Sequence, residues 1–204
     1  MYQERRRTMS KYILGSHNSW SYLKPRKWWM RLIVFTARCQ SATIIEQYTL
    51  HDVRCFDLRL RWDKKGNMIL AHGIVEYKYT EEMLMNDLTF LNARGDCYVR
   101  MLHEARNWIQ YTTVSIALFQ TYCLLLQSKF PNIHFWCGRN LYNWEYDYHF
   151  DLPEPTCTEK YSSVCPPKYL DDWFPLLYAK INNKKIKETG TNDDILLIDF
   201  VDIP

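Results

Sequence analysis

Glycine is scarce in this 204-residue chain, with only 6 residues. That scarcity argues against a Gly-rich phosphate loop and against a repeat fibre. The 7 cysteines contain no CxxC pair, so the usual zinc-ribbon spacing is missing. Their odd number, with no secretory signal, predicts reduced thiols in a cytosolic chain. Arg5, Arg6 and Arg7 are followed by no apolar h-region, so no signal peptide is expected, and the default location is cytoplasmic. No run of about 18 apolar residues exists to span a membrane. Net charge is also small, at +3 from 26 Lys+Arg and 23 Asp+Glu, too little for bulk nucleic-acid binding.

What is present is a folded-domain composition, 47% hydrophobic and 24% charged, with aromatics high at 16%. With no internal repeat or low-complexity linker, residues 1–204 read as one domain. The charge is uneven. The first 31 residues hold eight basic side chains and one acid, Glu4.

Strands and helices alternate along the chain. Lys11–Ser16 reads as a strand running into a loop. Lys27–Gln40 reads as an amphipathic helix. Asp52–Trp62 and Met68–Val75 read as strands joined by the turn Asp63–Asn67. Thr80, followed by Glu81 and Glu82, caps a helix to about Leu91. Cys97–Arg106 reads as a strand, Thr113–Lys129 as a helix, Ile133–Cys137 as a strand, 138–168 as loop, Leu170–Asn182 as a helix and Ile195–Val201 as a buried strand. Such alternation implies a parallel sheet, whose site lies at the strand C-termini.

Polar residues interrupt this pattern at a few places. In Val53–Arg61 the period of two sends Phe56, Leu58 and Leu60 to one face. Asp57, Arg59 and Arg61 share the other. Buried charges of this kind need pairing, an ion or a ligand, so a structural ion pair and a site are both open. Asp199 stands alone in the apolar run ILLIDFV and needs a partner, commonly a histidine. Arg100 and Glu104 share one face of their strand. His17 lies in the turn-like GSHNS and His72 precedes Gly73. Two histidines with near-neutral pKa suit a base and an acid for phosphoryl transfer.

The ordered set Leu14-Gly15-Ser16-His17-Asn18-Ser19, Val53-Arg54-Cys55-Phe56-Asp57-Leu58-Arg59 and Leu70-Ala71-His72-Gly73 resembles the phosphatidylinositol-specific phospholipase C family in its bacterial type. The likeness covers residues 10–106 well and resumes in 194–202. It implies an α/β fold, a distorted TIM barrel, possibly shortened. It also implies cleavage of phosphatidylinositol to diacylglycerol and inositol 1,2-cyclic phosphate. His17 would be the general base, His72 the general acid and Asp199 the carboxylate orienting His17. Asp57 and Asn18 would complete the catalytic set. Arg59 would contact the phosphate in place of a metal, so no cofactor is expected. The alternative is calcium held by Asn18, Asp57 and Glu104. Arg100 and Glu104 are candidates for the inositol ring, together with polar residues in 139–147. Trp28 and Trp29, beside Lys27 and Arg31, are expected to meet the membrane surface. The same stretch also reads as an ordinary barrel helix packed on strands. A monomer is expected. Two other readings are a glycerophosphodiester phosphodiesterase, which Arg59 argues against because that enzyme needs an E-x-D metal pair there, and a phosphoinositide-binding protein without catalysis.

Overall fold

The computed structural model describes residues 12–104, 113–137, 158–161, 174–192 and 194–204. Eight strands and four α-helices occur among them: β1 (Ile13–Ser16), α1 (Ile44–His51), β2 (Cys55–Trp62), β3 (Met68–His72), β4 (Val75–Glu76), α2 (Glu81–Asn92), β5 (Cys97–His103), α3 (Thr113–Lys129), β6 (Ile133–Cys137), β7 (Thr158–Tyr161), α4 (Pro175–Thr189) and β8 (Asp194–Ile198).

Six strands lie parallel in the order β7-β8-β1-β2-β5-β6. β3 pairs antiparallel with the far half of β2, through Leu60↔Leu70 to Trp62↔Met68, and carries β4 with it. No pairing among the described residues joins β6 to β7, so these strands form an open sheet. The distorted TIM barrel that the resemblance implies is therefore not closed by these strands.

The two faces of the sheet bury different material. Phe56, Leu58, Leu60, Val99, Met101 and Phe135 pack with Leu84, Leu88 and Leu91 of α2 and Cys123 and Leu126 of α3. Each fully buried aliphatic or aromatic side chain contributes about 1.5–3 kcal/mol. The opposite face starts as a small apolar plug of Ile13, Cys55, Tyr98, Ile195 and Leu197. Here β1 runs so close to its neighbours that a Cβ on Gly15 would lie 2.7 Å from Leu197 Cδ2 and 3.1 Å from Cys55 Cβ. Two residues further along each strand, the same face turns polar.

Five local readings need correction. The amphipathic helix expected over Lys27–Gln40 is two 3-10 turns, Trp28–Leu32 and Val34–Thr36, and only Met30 of them is buried. β-Branched and aromatic residues fill that stretch, and they favour helix poorly. α1 was not expected, although Thr43 and Glu46 form a capping box at its start. α4 runs on past Asn182 because the Asn183 amide donates to the carbonyls of Asp199, Phe200 and Ile203 rather than ending the helix. β7 lies inside a segment read as loop, and β8 stops at Ile198, which leaves Asp199 just beyond the strand end.

Candidate active site

The site grows from the C-terminal ends of β1 and β8 and from the middle of β2 and β5, with Glu104 just past the end of β5. His17 follows β1 directly, and its backbone N–H donates to Ile198 O at 3.0 Å. Gln40 ties the same two strand ends together. Its amide nitrogen donates to His17 O at 3.1 Å and to Ile198 O at 2.8 Å, while its oxygen accepts from Val201 N at 3.1 Å. Asn18 takes a positive φ of 44°, which asparagine tolerates better than most residues. That turn aims the Asn18 backbone N–H at Asp57 Oδ2, 3.0 Å away. Ser19 closes the loop on β2, donating its N–H to Asp57 O and accepting from Asp57 N at 2.7 Å.

Asp57 anchors the charged cluster and is fully buried. Arg59 Nε donates to its Oδ2 at 2.7 Å, and Arg100 Nη1 donates to its Oδ1 at 2.9 Å. Burial alone would raise the Asp57 pKa, but the charges of Arg59, Arg100 and His17 and the Asn18 N–H overcome it and hold the carboxyl well below its ordinary range. Arg59 spans the cluster. Its Nη1 reaches Glu104 Oε2 at 3.2 Å and its Nη2 reaches His17 Nε2 at 2.7 Å. Burial works against its charge, and Asp57 and Glu104 more than compensate, so it stays a cation. Glu104 also accepts from Gly73 N at 2.8 Å. Burial raises its pKa and Arg59 lowers it, with a net lowering.

His17 and His72 complete the cluster, ring centroids 5.1 Å apart and planes at 87°. His17 Nδ1 lies 2.7 Å from Asp199 Oδ1, and Asp199 is itself only 1% exposed. A guanidinium only donates, so His17 Nε2 is the accepting nitrogen and Nδ1 carries the proton toward Asp199. His72 Nδ1 lies 3.0 Å from Ala37 O and 3.7 Å from Cys39 Sγ. A carbonyl only accepts, so His72 Nδ1 also carries a proton. In both rings Nε2 is therefore the nitrogen that can exchange a proton with a reacting group, in His17 once Arg59 Nη2 has let go of it. Burial first, then the Arg59 charge, lower the His72 pKa to about 4.

Sequence reasoning placed His17, His72, Asp57, Arg59, Glu104 and Asp199 in one site, and the structure brings these six together. Two of its assignments change. Arg100, expected at the inositol ring, is 2% exposed and holds Asp57, so it acts as a positioning residue. The side chain of Asn18 turns away from Asp57 and donates to Ala37 O at 3.4 Å. The oxygens proposed for calcium face guanidiniums: both of Asp57 and one of Glu104 accept from Arg59 or Arg100. That donor set does not fit a hard cation. Trp28 is 76% exposed and Trp29 38% exposed. Residues 139–147, also named for the inositol ring, lie outside the described residues. The sequence reading missed Gln40, Tyr77, Cys39 and the Ala37 carbonyl. Tyr77 donates to that carbonyl at 2.8 Å. His103 stacks on Phe119 at 5.3 Å, and burial lowers its pKa to about 4, a core histidine.

No protein-family model matches this chain, and no curated protein does. Solved structures do match. A single-site variant of the phosphatidylinositol-specific phospholipase C from Staphylococcus aureus superposes with a TM-score of 0.59 at 14% identity, covering 94% of this chain and 86% of that one. The chain shares the fold of that phospholipase. A double variant of the same enzyme gives a TM-score of 0.57 at 13% identity, covering 94% and 86%. A third structure, concerned with modulation of the phospholipase's membrane binding, gives 0.56 at 14% identity, covering 94% and 87%. With a phospholipase fold across nearly the whole chain, the two histidines lie at the end of the sheet where α/β folds carry their sites.

Proposed function

We propose that this protein is a phosphatidylinositol-specific phospholipase C working by histidine acid–base catalysis. The observation that carries the reading is the pair of Nδ1-protonated histidines, one backed by Asp199 at 2.7 Å and the other 5.1 Å away ring to ring, with Arg59 beside them.

In this reading His17 Nε2 takes the proton of the inositol 2-hydroxyl. The freed oxygen attacks phosphorus, and the bond from phosphorus to the glycerol oxygen breaks. His72, entering the step as an imidazolium with both ring nitrogens protonated, gives its Nε2 proton to that leaving oxygen and keeps Nδ1–H on Ala37 O. The products are diacylglycerol and inositol 1,2-cyclic phosphate, which is hydrolysed slowly with the two roles exchanged. Asp199 fixes the His17 ring and offsets the imidazolium charge, as the carboxylate of a catalytic triad does. Arg59 leaves His17 Nε2 for the phosphoryl oxygens, where a fixed cation stabilises developing negative charge without a metal. Asp57 and Arg100 hold Arg59 in register.

A membrane substrate requires a surface-seeking rim. Trp28, Leu32 and Phe35 are exposed at 76%, 71% and 53%. Phe35 stacks on Phe174 at 5.9 Å, which extends the patch to the start of α4. Lys27 and Arg31 flank it, and Trp with basic neighbours suits an anionic headgroup layer. No helix among the described residues is long and apolar enough to cross a membrane, so contact through this rim would be peripheral.

Phosphorus NMR of products from phosphatidylinositol vesicles, with and without EDTA, tests the proposal. The expected result is a cyclic phosphodiester signal that survives chelation. Activity lost on chelation would revive the calcium reading. Turnover of soluble glycerophosphodiesters but not of vesicles would favour the phosphodiesterase. Vesicle binding with no product in either condition would leave a binding protein.

A further inference from the structure

The proposed reaction gives the Cys39 thiol no part, yet it lies inside the site. Its backbone N–H is fixed on Ser21 Oγ at 2.9 Å and its side chain is fully buried. Sγ stands 3.7 Å from His72 Nδ1. One ligand atom each from His17, Cys39 and His72 fall within 4.8 Å of one another. A tetrahedral zinc ion with ligands at about 2.0–2.3 Å separates neighbouring ligand atoms by roughly 3.3–3.7 Å. The Cys39–His72 pair is already at that spacing, and His17 needs to close by about 1 Å.

Donor chemistry and charge point the same way. One thiolate with two imidazoles is a soft-to-borderline set that prefers zinc-class ions to calcium or magnesium. The carboxylates of Asp57, Glu104 and Asp199 outnumber the guanidiniums of Arg59 and Arg100, so these groups carry one net negative charge. A thiolate adds a second, and a dication brings the set to neutrality.

We infer that His17, Cys39 and His72 form a binding site for a zinc-class divalent cation, whose arrival shuts the active site by occupying both histidines. Shut-off rests on the reading of those histidines as the reacting pair; binding does not. The step involves no redox change, and the His17 nitrogen that holds the lone pair, Nε2, gives up its hydrogen bond from Arg59 Nη2 when it binds the ion. Burial, aided by the Asp199 charge, holds the thiol protonated, so the ion displaces that proton to solvent as the metal–sulfur bond forms. His72 moves its own proton from Nδ1 to Nε2 and gives Nδ1 to the metal. Ala37 O then keeps the Tyr77 hydroxyl as its donor at 2.8 Å.

Cobalt(II) titration of the full chain, without substrate, reads the site directly. The expected result is a near-ultraviolet thiolate-to-cobalt band that saturates at one ion per chain and is bleached by zinc. Cys39→Ser abolishes it, Cys97→Ser keeps it, and His72→Asn weakens affinity at least about tenfold. Absence of the band in the parent protein overturns the inference, as does an undiminished band in Cys39→Ser. If Cys39→Ser does not fold, judged by circular dichroism, His72→Asn decides on the same criterion. Zinc is then added to phosphatidylinositol vesicle assays. Inhibition reversed by EDTA is expected, and full activity at saturating zinc overturns the shut-off while leaving binding in place. A protein that shows the cobalt band but no turnover even without zinc contradicts the proposed function, not the site.

Discussion

His17 and His72 face each other across 5.1 Å, yet opposite kinds of group hold them. Around His17 the contacts are ionic: Asp199 on Nδ1 and Arg59 on Nε2, each at 2.7 Å. Around His72 they are neutral: a backbone carbonyl at 3.0 Å and a thiol at 3.7 Å. A carboxylate behind a ring stabilises the imidazolium; a carbonyl does so much less. In the proposed reaction the side assigned as base is thus suited to receive a proton. The acid side holds its proton weakly, and the negative phosphodiester is what would restore it. The contrast can be broken from either side.

The largest expected effect is His17→Ala. Removing the base should cut turnover of phosphatidylinositol by about 10⁴-fold, the upper end for general base catalysis. Steady-state kinetics on vesicles check this, and the loss should be the same whatever the leaving group. A loss that shrinks with a good leaving group would mean the roles of the two histidines are exchanged.

Arg59→Gln comes next. The loss of a preorganised cation should cost about 10²–10³ in kcat, on the order of 3–4 kcal/mol. The Arg59 charge also helps burial hold His72 at about 4, so the variant should move the His72 titration upward, visible by NMR of the ring protons. An unmoved His72 signal would detach Arg59 from the acid side. Asp57 keeps Arg100 and Asn18 N as partners, so a folded variant is expected, and thermal unfolding verifies it.

His72→Ala should slow release of diacylglycerol by about 10²-fold and leave substrates with an acidic leaving group nearly unaffected, because only a poor leaving group needs protonation. Equal losses on both substrates would remove His72 from the role of acid.

The ionic side was far more legible in the sequence than the neutral side. Asp57 and Arg59 announced themselves as charges alternating with Phe56 and Leu58 on a strand, and Asp199 as a carboxylate in an apolar run. Those are violations of burial rules, and sequence shows violations well. Ala37 contributes a backbone carbonyl, which every residue has, so no pattern marks it. Cys39 looked like one of seven reduced thiols. The reach of Arg100 to Asp57 depends on β2–β5 register, Asp57↔Arg100, which single-strand periodicity does not contain. The alternation of strands and helices was readable for the same reason as the charges, since each apolar period has one burial solution. The failure at Lys27–Gln40 came from treating apolar content as helical amphipathicity when Trp28, Leu32 and Phe35 point outward.

The smallest effect is the most direct trial of the comparison, because it converts the neutral side into an ionic one. Asn18 Nδ2 lies 3.4 Å from Ala37 O, the same oxygen that takes His72 Nδ1. Asn18→Asp puts a carboxylate beside that ring while changing little volume, and aspartate tolerates the positive φ that Asn18 adopts. A nearby negative charge favours the imidazolium, so the His72 pKa rises from about 4. The acid form then survives to higher pH, and the alkaline limb of kcat/KM for phosphatidylinositol moves upward by about one pH unit, roughly 1.4 kcal/mol. Stability follows the same sign. A depressed histidine stabilises the fold above its unfolded pKa of about 6.5 and loses that contribution as pH falls through its folded value. Raising the folded value shrinks the penalty, so Asn18→Asp should unfold less readily than the parent between pH 6 and 4, relative to each protein at neutral pH. With an acidic leaving group the alkaline limb should stay where it is, since His72 then has no proton to give. Movement of both limbs together would place the titrating group elsewhere than on His72.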